Sequence, residues 1–98
     1  MHMPNRPLRL NERELVRAML SGKPNETELL PNLDDCVVED MADGGMGSVR
    51  FVSRSQKHRI LGSAVAEAEY TDDDGVLVSI AVNTDNGGHV YEIDFWKV

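Results

Sequence analysis

The apolar residues of this chain change period near Asp35, and that change limits the folds open to it more than any other feature. Beyond Asp35 they recur at every second position, in runs separated by short glycine-containing turns. Alternation of this kind describes half-buried strands, and short turns join antiparallel neighbours. Residues 36–42 read as the first strand, and Asp43-Gly44-Gly45-Met46-Gly47 as a turn. Residues 48–54 read as the return strand, with Val49 and Phe51 on one face and Arg50, Val52 and Arg54 on the other. Ser55–Arg59 is a polar, basic connection. In residues 60–70, Ala64, Ala66, Ala68 and Tyr70 share a face against Val65, Glu67 and Glu69. Asp72-Asp73-Asp74-Gly75 is a hairpin turn. Residues 76–83 turn Val76, Val78, Ile80 and Val82 inward and Leu77, Ser79 and Ala81 outward. Asp85-Asn86-Gly87-Gly88 is another hairpin turn. Residues 89–97 close the sheet, with Tyr91, Ile93 and Phe95 opposite Glu92, Asp94 and Trp96.

Upstream of the change the period is helical. Asn11 with Glu14 has capping-box spacing, and Leu10 with Leu15 fits a hydrophobic staple. Leu15, Val16, Met19 and Leu20 form one stripe, and Gly22 and Pro24 stop it. A helix over about residues 12–21 follows. It is too short to stand alone, so its stripe docks on the sheet. Glu26–Leu30 can form a further helical turn before Pro31. The expected fold is α+β: a five-stranded antiparallel meander, order 1-2-3-4-5, with one N-terminal helix packed on one face. Residues 1–98 form a single domain, with 1–10 as a flexible lead.

At 98 residues and 41% apolar the chain has material for one core. Its ten Lys and Arg against 17 Asp and Glu leave a net charge of −7. From Ile60 onward one Lys faces eight acids, whereas residues 44–59 hold four cations and no acid. Such a surface disfavours phosphate backbones and anionic membranes, and favours basic or mixed-charge protein partners. No apolar run is long enough to span a membrane, and the N-terminus has no signal-peptide pattern. The lone Cys36 opens an apolar run, as a buried hydrophobe in a reducing cytoplasm would.

Motifs for chemistry fall short. Asp72–Asp74 lack the alternating oxygen spacing of a calcium loop, and His2, His58 and His89 lack zinc-ligand spacing. Gly44–Ser48 leads into a strand rather than the helix a phosphate cradle needs. No catalytic, cofactor-binding or metal-binding residue is assigned, and no cofactor is expected. The surface left is the outward sheet face, carrying Arg50, Glu67, Glu69, Glu92, Asp94 and Trp96, with the four acids in solvent. An exposed Trp among charges suits a protein interface, while edge packing of Trp96 against Pro7-Leu8 is the plainer use of it. A non-enzymatic, inhibitor-like or immunity-type binding module is therefore the first reading. Two others stand beside it. One is a small enzyme or ligand binder using the sheet carboxylates. The other is a homodimer joined face to face or through the edge of the last strand.

Two segments also carry a resemblance. They are Val38-Glu39-Asp40-Met41 through Gly44-Gly45-Met46-Gly47-Ser48-Val49-Arg50-Phe51, and Val78-Ser79-Ile80 through Tyr91-Glu92-Ile93-Asp94-Phe95-Trp96-Lys97. Together they resemble a family of small bacterial proteins of unknown function, with a helix, a DGGMGS-x-RF segment and a YE-x-D-x-WK ending. The resemblance implies a bacterial cytoplasmic setting, and transfers no catalytic residue.

Overall fold

A computed structural model describes residues 5–24, 26–29, 33, 36–42, 47–52 and 60–97. The expected turn at 43–47, with Met46 at its tip, and the connection at 55–59 lie outside the described residues, apart from Gly47. The described elements are β1 (Asn5–Pro7), α1 (Leu10–Leu20), α2 (Glu26–Leu29), β2 (Val37–Asp40), β3 (Val49–Val52), β4 (Leu61–Thr71), β5 (Leu77–Asp85) and β6 (Val90–Lys97). The class is α+β, but the five-strand meander is overturned. Six antiparallel strands form one sheet in the order β1-β2-β3-β6-β5-β4.

Two differences account for the correction. The sixth strand is β1, which pairs Asn5, Arg6 and Pro7 with Glu39, Val38 and Val37. Pro7 lacks a backbone N–H, a lack that an edge strand tolerates. The other difference is the place of β6. Short turns do make β4-β5-β6 a local unit, but β3 docks on the β6 side of it, pairing Val49 with Ile93 and Arg50 with Glu92. The β4 side is a poorer template. Its register slips against β5 between Leu61 and Ala64 and again between Ala64 and Ala66. Such bulges twist an edge away from further pairing. Gly62 permits the closest approach there, since a Cβ would stand 2.5 Å from the Asp85 carbonyl oxygen. β6 thus lies between β5 and β3, and β3 pairs with it at Glu92 and Ile93.

The core runs across the sheet in rows. Val49, Ile93, Val82 and Ala66 form one, Phe95, Ile80 and Ala68 another, and Val38 faces Phe51. Val16, Met19 and Leu20 of α1, with Leu29 and Leu33, bury these rows. The small residues Ala66 and Ala68 lie where α1 approaches β4. Ala64 is not with them. The bulge around Val65 sets it opposite Asn83 on the other face, where it is exposed, and brings Val65 against the core.

The helix starts earlier than its cap signals suggest. Arg9, not Asn11, is the N-cap, and Glu12 rather than Glu14 closes the turn by accepting the Arg9 N–H at 2.8 Å. Leu10 is therefore inside the helix and points to solvent, while Leu8 enters the core. The stronger determinant is Arg6. Its Nη1 and Nη2 donate to the two Glu12 oxygens at 2.8 and 2.9 Å. Its Nε and Nη2 donate to the Asp40 oxygens at 3.2 and 2.8 Å. Its Nη1 also donates to the Pro7 carbonyl at 3.1 Å. All five guanidinium protons thus find acceptors, and β1, α1 and β2 are held at one corner. These hydrogen bonds hold the Glu12 and Asp40 carboxyls below the usual carboxylate range, against the opposing effect of burial, and raise the Arg6 guanidinium.

Candidate binding face

Opposite α1, cross-strand register brings the outward residues into rows. Glu39, Arg50, Glu92 and Asn83 form the first, Asp94, Ala81 and Glu67 the second, and Trp96, Ser79 and Glu69 the third. The six residues singled out from sequence, Arg50, Glu67, Glu69, Glu92, Asp94 and Trp96, therefore share a face. They do not share an environment.

Glu92 is buried rather than solvated, its side chain only 9% exposed. Asn83 Nδ2 donates to Glu92 Oε1 at 3.0 Å, and Arg50 Nη2 stands 3.7 Å from Oε2. The Arg50 guanidinium also lies over the Tyr91 ring, 5.3 Å from its centroid. A buried charge needs such partners, so this cluster ties β3, β6 and β5 together. Asp94 is likewise engaged. Ser48 Oγ accepts the Phe95 N–H at 2.8 Å, and its own proton faces the Phe95 carbonyl at 3.3 Å and Asp94 Oδ1 at 3.4 Å.

The third row opens instead into a groove of about 410 Å³, lined by Glu67, Ala68, Glu69, Ser79, Ile80 and Trp96. Trp96 is 42% exposed, and β6 is separated from β1 by two strands, so Pro7 and Leu8 do not cover it from a neighbouring strand. Ser79 is small and 8% exposed, at the centre of its row between two larger side chains. No cation among the described residues pairs with Glu67 or Glu69. Short turns fix the register of this row, which is why its members could be read from alternation. The pairing of Glu92 had no such signal, since Arg50 arrives from a strand that sequence order does not place there.

The turn acids have structural work. Lys97 Nζ bridges Asp72 at 3.1 Å and Asp74 at 2.9 Å, and these hydrogen bonds lower the Asp74 carboxyl and raise the Lys97 ammonium. Asp85 Oδ1 accepts the N–H groups of Gly87 at 2.8 Å and His89 at 3.0 Å, and Gly88 closes that turn at a positive φ of 83°. Among the described residues no group of three His, Cys, Asp or Glu side chains could hold a metal ion, and no helix is long and apolar enough to cross a membrane.

Fold and face define a small α+β domain with one side of its sheet closed by helix and the other holding an open acidic groove. The chain belongs to the family described as a domain of unknown function, DUF6984, whose model matches residues 5–98. Comparisons with curated proteins and with solved structures return no match.

Proposed function

We propose that the chain is a non-enzymatic binding module of the bacterial cytoplasm, an inhibitor-like or regulatory protein whose open sheet face docks a basic or mixed-charge protein segment. The observation that carries this reading is the groove at Trp96, where a half-exposed indole stands beside two carboxylates that no described cation neutralises. Aromatic anchors rimmed by charge are the usual currency of protein recognition, and unpaired acids steer a basic partner toward them. The cationic end of the same face, Arg50, is committed to Glu92 and Tyr91.

Fluorescence polarisation with a graded series of blocked peptides, from acidic to basic, tests the reading. Affinity should rise with positive charge, weaken with added salt, and be lost in Trp96→Ala. Basic-peptide binding that is unchanged in Trp96→Ala, or an absence of binding across the series, would remove this face as the docking surface.

A further inference from the structure

We propose that the groove is a receptor for a single arginine side chain of the partner, with its guanidinium stacked on Trp96 and bonded to Glu67, Glu69 and Ser79. The proposal rests on the docking reading above and adds the chemistry of the anchor.

The chain already contains one complete arginine site to compare with. Around Arg6, two carboxylates and one neutral oxygen, the Pro7 carbonyl, accept all five guanidinium protons. The groove offers the same set without the arginine: the carboxylates of Glu67 and Glu69, and the hydroxyl oxygen of Ser79. Ser79 is more than nine-tenths buried, lines the groove, and its hydroxyl has no hydrogen-bond partner among the described residues. At the groove surface that hydroxyl is open to solvent and free to bond a ligand atom.

Spacing suits a flat cation. Glu69, Ser79 and Trp96 lie side by side on three adjacent strands. Neighbouring strands are about 4.8 Å apart, so the backbones bearing Glu69 and Trp96 are separated by roughly 10 Å across Ser79. A guanidinium lying against the indole face can turn its edge to the carboxylates. It is also weakly hydrated and stacks well, which favours it over the compact ammonium of lysine. Other occupants fit less well. A phosphate would meet two carboxylates. An apolar side chain would leave three acceptors unmatched. Two carboxylates and a hydroxyl fall short of the oxygen shell that calcium takes.

Trp96 is the only tryptophan, so intrinsic fluorescence reports on the groove itself. The probe is a short blocked peptide with one central arginine flanked by lysines, compared with versions carrying citrulline or lysine at the centre. The arginine peptide should give a saturable fluorescence change. Citrulline, a neutral near-isostere, should bind roughly tenfold more weakly, and lysine should fall between them. Glu69→Gln should lose a similar factor with its thermal midpoint unchanged. Equal binding of all three peptides, an unaffected Glu69→Gln, or no saturable change with the arginine peptide overturns the arginine pocket. If the longer graded series still binds in a Trp96-dependent way, the docking reading survives that failure. If it does not, both fall.

Discussion

Two acidic regions of this sheet have opposite fates. At the β1–α1–β2 corner, Glu12 and Asp40 close on Arg6, and the three charges hold three elements together. At the β4–β5–β6 groove, Glu67 and Glu69 stand on one strand with no described cation near them. The two regions have the same kinds of acceptor, yet among the described residues only the corner supplies the arginine. Charges that are paired contribute to the fold. Like charges left side by side on a strand work against it, and persist at a cost that a binding role would explain.

The largest effect should come from removing the arginine at the corner. Arg6→Ala leaves Glu12 and Asp40 without their shared cation and should lower unfolding stability clearly, by more than any groove substitution, with the loss moderated by the solvent that reaches this cluster. Denaturant unfolding measures it. The effect should also depend on pH. Both carboxyls are held below their ordinary range, so the contribution is complete near neutrality and is lost as pH falls through their lowered folded-state values. Arg6→Ala should therefore flatten the acid limb of a stability–pH profile. An unchanged limb would separate Arg6 from acid stability and break the contrast.

The smallest effect on stability should come from the groove. Glu67→Gln with Glu69→Gln removes two like charges and no described pair, so the thermal midpoint should hold or rise slightly. A loss comparable to that of Arg6→Ala would mean that these acids are structural too.

Most of the groove was readable in advance because hairpin turns are local. Asp72–Gly75 and Asp85–Gly88 fix which residues of β4, β5 and β6 face each other, so Glu69, Ser79 and Trp96 fall in one row. The strand order was not local. Whether β3 docks beside β4 or β6 is a choice between two edges, decided by bulges in β4 and by the Arg50–Glu92–Asn83 cluster. The same choice buries Glu92, which alternation alone sends to solvent. Ala64 changed faces because one extra residue near Val65 reverses parity. The strand Asn5–Pro7 has no legible signal because three residues carry no period, and Asp40, half of what holds it, is 34 positions away from Arg6.

The division between a committed corner and an available groove is tested most directly by amide chemical shifts of the native protein during titration with the arginine-centred peptide. Perturbations should concentrate at residues 67–69, 79–80 and 96, while Arg6, Glu12 and Asp40 stay in place. Shifts centred on the corner, or spread over the molecule without focus on the Trp96 row, would contradict the account.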